Sequence, residues 1–216
     1  MASPINLRDW IDQFEISDLG PWAFSPPWEV TAKAEPIIDD VINTLHKDDW
    51  IIDNFIAVHK TAVIETGAIL KPPVVIGPNC FVAAFAYLRG GVWLQQDCTI
   101  GPSCEVKSSF LFKDASIAHL NFIGDSIIGA DVNIEAGVII ANHRNELDDP
   151  RIKIEHRGQI IDTCATKFGA LIGDRAKIGA NAVIAPGALL APNSITARMA
   201  HVDQSPSKKA PIGILS

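Results

Sequence analysis

The 216-residue chain has no stretch of 18 or more apolar residues, so no helix of it is expected to cross a membrane. Its N-terminus, Met-Ala-Ser-Pro-Ile-Asn-Leu-Arg-Asp-Trp, lacks a basic segment followed by an apolar run. A secretory leader is therefore not expected, and a cytoplasmic setting is. Positive charge is scarce: 18 Lys and Arg face 25 Asp and Glu, for a net charge of -7. Generic binding to nucleic acid or an anionic membrane needs clustered cations, which this balance disfavours. An anionic ligand would need a local cationic pocket. Cysteine is sparse too, and Cys80, Cys98, Cys104 and Cys164 show neither a C-x-x-C pair nor zinc spacing. They are expected to be reduced, small and buried. With 48% hydrophobic and 20% charged residues, the chain can bury a core.

What the sequence does have is a repeat. From Val58 every sixth residue is apolar: Val58, Ile64, Leu70, Ile76, Val82, Leu88, Leu94, Ile100, Val106, Phe112 and Ala118. A second set, mostly small, sits four residues after each, from Ala62 and Ala68 to Ser116 and Phe122. Gly or Pro often falls between, as in Ile76-Gly-Pro-Asn-Cys80. A period of six does not match the 3.6 of a helix, and Gly and Pro recur where a helix would break. A large inward residue, a turn and a small inward residue make one short strand and its corner. Three such units make a triangular coil with an aliphatic stack along its axis. The frame slips once, after Ala118, and resumes at Ile128, Ile134 and Ile140. After a break of about thirty residues it returns at Ile172, Ile178, Ile184 and Leu190. Such rule-breaking often marks function.

Three segments stand outside the repeat. Residues 1–55 are expected to form a small, mainly helical cap over the open first coil, with Trp10, Ile11 and Phe14 at helical spacing and a helix over residues 35–45. A partner-docking arm is the alternative. Residues 144–168 form a charged insertion, read as a loop or hairpin. Residues 198–216, rich in Ser, Lys and Pro, read as a tail after a β-helix over residues 56–197.

The chemistry-bearing residues lie in Leu88-Arg89-Gly90-Gly91, Glu105-Val106-Lys107-Ser108-Ser109, Ala118-His119-Leu120-Asn121-Phe122-Ile123-Gly124-Asp125, Asp131-Val132-Asn133-Ile134-Glu135-Ala136-Gly137 and Ile140-Ala141-Asn142-His143. The repeat resembles that of the hexapeptide-repeat acyltransferases, whose fold is all-β, a single-stranded left-handed parallel β-helix. These segments are similar to the acetyltransferase half of the bifunctional glucosamine-1-phosphate acetyltransferase / N-acetylglucosamine-1-phosphate uridyltransferase. They are closer still to the β-helical tail of archaeal sugar-1-phosphate nucleotidyltransferases. The resemblance implies an acetyltransferase that uses acetyl-CoA and works as a homotrimer with sites between subunits. It implies His119 as general base, Arg89 and Lys107 on the sugar phosphate, and Asn133 on the sugar. Phe122 stands where a substrate-touching Tyr is usual. Ala136 and Asn142 match positions near the substrate and the thioester, where Asn142 can stabilise the oxyanion. His143 replaces a Tyr beside that Asn, and Lys167 matches a Lys of the archaeal pattern. Ala180 and Arg198 fall in the coenzyme A region. No Leu-x-x-Gly-x-Gly-Thr-Arg loop occurs, so uridylyl transfer is not expected, even under a nucleotidyltransferase-like label.

The residue types suit that chemistry. An attacking amine must lose a proton, and an imidazole titrates near neutral pH. Arg89 and Lys107 are eighteen residues apart, one coil, and should stack on one face. Gamma-class carbonic anhydrases share the fold, but their three-His set has no counterpart here, so no metal site is expected. A non-catalytic sugar-nucleotide sensor and an acyltransferase for another acceptor remain open, as does the identity of the sugar.

Overall fold

The computed structural model describes residues 5–206, so the end of the expected tail, from residue 207, lies outside the described residues. The chain winds into a left-handed parallel β-helix of hexapeptide repeats with three flat faces. The first face stacks Val63–Ile64, Phe81–Val82, Thr99–Ile100, Ser116–Ile117, Asn133–Ile134, Lys177–Ile178 and Ile195–Thr196. The second runs from Ile69–Leu70 through Phe122–Gly124 and Ile139–Ile140 to His201–Val202. The third runs from Ile56–His59 through Val74–Ile76 and Ile127–Ile128 to Ala188–Leu190. Strands Tyr87–Leu94 and Glu105–Leu111 are long enough to bend from the second face onto the third.

Inside, the large residues Ile76, Val82, Leu88, Leu94, Ile100 and Val106 stack as the period requires, each fully buried. Single two-residue strands carry few hydrogen bonds, so stability comes from stacking each rung on the next. Each buried Ile, Leu or Val contributes about 1.5–3 kcal/mol. The frame then departs from the expected one. Val82 pairs with Ile100 eighteen residues on, but Ile100 pairs with Ile117, only seventeen on. The inward residues are Leu111 and Ile117 rather than Phe112 and Ala118. Two corners lose one residue each, after Val106 and after Ile123, in place of a single slip after Ala118. Phe112 instead faces outward against Phe14 and Trp93, at ring separations of 5.3 Å.

That outward contact shows where the N-terminal residues go. Helix α2, Ala34–Thr44, begins and ends within a residue of the periodic run over 35–45, and a short helix that the spacing did not show, α1 at Pro27–Ala32, precedes it. Trp10, Ile11 and Phe14 are buried in turns that follow a short 3-10 helix at Leu7–Asp9. Together they cover the outside of the third face, against Val75, Trp93, Phe110, Ile127 and Leu171. They do not close the open end as expected; strand Trp50–Asp53, antiparallel to Ile56–His59, edges the first coil instead. The third face is apolar on both sides, and covering its outer side removes that apolar area from water.

The insertion folds as an antiparallel hairpin, Lys153–His156 with Gln159–Asp162, and lies against the coil through buried Ile152 and Ile154. Cys80, Cys98 and Cys104 are buried thiols inside the coil, whereas Cys164 is exposed on the insertion, contrary to expectation. Among the described residues, no helix is long and apolar enough to cross a membrane.

Candidate functional site

The corner between the second and third faces gathers five of the eleven candidate residues: Arg89, Lys107, Asn142, His143 and Lys167. Gly90 and Gly91, at φ of +67° and +87°, form a two-residue bulge opposite Ser108. Arg89 pairs with Lys107, and Lys107 with Gly124, so the two cations stack one coil apart as the spacing requires. Neither cation is free. Arg89 meets Glu105 at 2.7 Å. Lys107 donates to both oxygens of Asp125 at 2.9 and 3.0 Å, and to Ser108 Oγ at 3.1 Å. The Asn142 amide donates to Asp125 as well. A Cβ on Gly124 would sit 2.8 Å from that amide nitrogen, so a larger residue there would make the Asn142 side chain shift. Sequence reasoning singled out Lys107 and Asn142 but not the carboxylate that joins them. The two short corners were the available signal, since Lys107 and Asp125 occupy them.

A cavity of about 550 Å³ opens beside this cluster. Its walls are Thr31, Ala34 and Glu35 from the helices, Gly90, Lys107, Ser108 and Asp125 from the corner, and Cys164, Thr166 and Lys167 from the end of the insertion. The insertion leaves and rejoins the coil at this corner, where Phe168 N–H donates to the Asn142 carbonyl at 3.0 Å. His143 Nδ1 lies 2.9 Å from the Thr166 carbonyl. A carbonyl can only accept, so Nδ1 carries the hydrogen of that bond. Next to it, buried Arg144 donates to Asp203 at 2.6 and 3.1 Å and to the Pro186 carbonyl at 3.0 Å. Burial alone would raise the Asp203 carboxyl, but Arg144 and the Ser205 N–H outweigh it and hold the pKa at about 2.

The other candidates lie elsewhere. His119 is exposed on the corner between the first and second faces, and no side-chain partner holds it among the described residues. It precedes strand Phe122–Gly124, whose far end pairs with Lys107. A left-handed turn at Leu120 and then the three-residue strand Phe122–Gly124, about 10 Å long, separate His119 from the Lys107 corner. Ala136, Ala180 and Arg198 continue the His119 column by register, coil after coil. Glu135 accepts from the Ala180 N–H at 2.8 Å and from Arg198 at 2.6 and 2.8 Å. Asn133 and Arg198 line a second cavity of about 420 Å³ on the first face. The half-buried Phe122 lies on the second face, between the two groups.

Residues 73–108 match the family described as bacterial transferase hexapeptide (six repeats). The bifunctional protein GlmU of Methanococcus vannielii is 30% identical over 190 residues, covering 85% of this chain and 44% of that protein. A bifunctional sugar-1-phosphate nucleotidylyltransferase/acetyltransferase of Sulfurisphaera tokodaii is 32% identical over 157 residues, covering 71% and 39%. The chain thus spans less than half the length of these curated relatives. Among solved structures, a mutant of AntD, an N-acyltransferase from Bacillus cereus, is 16% identical with a TM-score of 0.39, covering 69% of this chain and 75% of that one.

Proposed function

From a left-handed β-helix whose rungs carry the transferase hexapeptide, we propose that this chain moves an acetyl group from acetyl-CoA to the amine of an amino-sugar 1-phosphate. The observation that carries the reading is the register stack of Arg89 and Lys107 beside a cavity that Lys167 also lines. Three cationic side chains on one corner suit a phosphate that brings about two negative charges. Asn133 and Phe122 face the sugar, and Asn142 orients the acetyl carbonyl. Ala136, Ala180, Arg198 and His143 flank the coenzyme.

The amine nitrogen attacks the thioester carbonyl carbon, forming the C–N bond and sending the carbonyl electron pair to oxygen. His119 takes the proton that the nitrogen sheds. The oxyanion collapses, the C–S bond breaks, and His119 hands that proton to the leaving thiolate. His119 and Lys107 sit on opposite edges of one face, so a neighbouring copy completes the site. The proposed assembly is a homotrimer.

The test is thiol release with acetyl-CoA and glucosamine-1-phosphate. The expected result is turnover that His119→Ala lowers by a factor of about 100 or more, the usual worth of a general base. Full activity in that variant removes the base, and no turnover with any amino-sugar phosphate removes the reaction.

A further inference from the structure

Resting on the sugar-phosphate reading above, we propose that Glu35 of the N-terminal segment is a specificity-determining residue. Its carboxylate accepts hydrogen bonds from the sugar's donor groups, hydroxyl or ammonium, and excludes ligands that bring a second anion.

The backbone holds Glu35 in place. A Cβ on Gly91 would lie 2.8 Å from the Glu35 nitrogen and 2.8 Å from the Ala34 carbonyl carbon. The glycine bulge therefore lets the first turn of α2 touch the β-helix corner directly. Fixed to that rigid strand, Glu35 forms one wall of the 550 Å³ cavity, with Lys107, Ser108 and Asp125 on another. The insertion supplies the rest of the lining, including Lys167.

The charges around the cavity sort into two kinds. Lys107 and Asp125 satisfy each other at 2.9 Å. Glu35 and Lys167 have no ion-pair or side-chain hydrogen-bond partner among the described residues. A cavity with one free anion and one free cation, on walls from different segments, fits a ligand with an acidic end and a donor-rich end. A sugar monophosphate has that form. A sugar bearing a second phosphate would set like charges together at Glu35, which costs affinity.

Isothermal titration of the full chain with glucosamine-1-phosphate and with glucose-1,6-bisphosphate tests this. The wild type is expected to bind the monophosphate more tightly. Glu35→Gln is expected to bind it about tenfold more weakly, the worth of one hydrogen bond to a charged group, and to lose the preference. Glu35 is exposed and carries no side-chain bond, so its thermal midpoint should not move. Unchanged affinities and preference in Glu35→Gln overturn the proposal, as does a wild type that binds neither compound. Binding as expected without thiol release from acetyl-CoA would sink the acetyl-transfer reading alone. Turnover with an indifferent Glu35→Gln would sink the role of Glu35 alone.

Discussion

The two cations one coil apart differ in what surrounds them, and that sets what their loss costs. The side chains of Arg89 and Glu105 are 37% and 34% exposed, so water screens their pair. Such a pair stabilises by at most about 1 kcal/mol. The side chains of Lys107 and Asp125 are only 16% and 7% exposed, and Asn142 hangs from the same carboxylate. Removing Lys107 leaves a buried carboxylate uncompensated, a loss of about 3 kcal/mol. Urea denaturation should therefore show Lys107→Met well below Arg89→Met in stability, while both lower kcat/KM for a sugar phosphate. Equal stabilities would mean that Asp125 finds another partner or is better hydrated than its burial indicates.

At the scale of elements, the corner depends on where the helices and the insertion join the coil. Gly91 has a positive φ and touches the α2 backbone. Gly91→Ala should thus push α2 away and strain the bulge, lowering stability by about 1–3 kcal/mol in a denaturant titration. The insertion is tied to the last coil by Arg144, Asp203 and the bond from Glu155 N–H to the Gln204 carbonyl. The Asp203 carboxyl, at about 2 in the fold, titrates near 3.9 when unfolded. Its ion pair therefore stabilises fully above about pH 4 and is lost as pH falls toward 2. The protection of the Glu155 amide against exchange, relative to an unfolded amide at the same pH, should fall across that window, and should not change across it in Asp203→Asn. Much of this level was legible in the sequence: the period of six fixed the inward stack from Ile76 to Val106, and α2 was visible in its apolar spacing. The frame after Val106 was not. In Phe110-Leu111-Phe112 both faces of the strand are apolar, because the N-terminal residues cover the outer side. Alternation vanishes there, and Phe112 and Ala118 fit the old period by coincidence. The Lys107–Asp125–Asn142 cluster was half hidden for a related reason. Asp125 follows Lys107 by eighteen residues, the same one-coil spacing that links Arg89 to Lys107, whereas Asn142 follows Asp125 by seventeen and falls out of that period.

At the scale of the molecule, the third face is covered from within the chain, which leaves the first and second faces and the corner between them for contact with other copies. That corner carries a column of left-handed turn positions, and three of them hold bulky apolar residues. Phe85, Leu120 and Met199 have φ of +63°, +58° and +62°, and are 72%, 67% and 77% exposed. Such residues are disfavoured at that φ, and exposing them to water gains nothing in a lone chain. Asn is the residue such turns prefer, and Asn181 occupies the same column. The bulky residues make physical sense when a second copy covers them, beside His119 in the same corner. Sedimentation should therefore show the wild type as a trimer, and Phe85→Asn with Leu120→Asn as a smaller species. The substitutions relieve backbone strain, so the separated chain should not melt earlier on its own account. Activity should fall with assembly, although neither residue lies in the Lys107 cavity. A wild type that sediments as a monomer and turns over sugar phosphate would show that one chain spans the distance from His119 to Lys107 unaided.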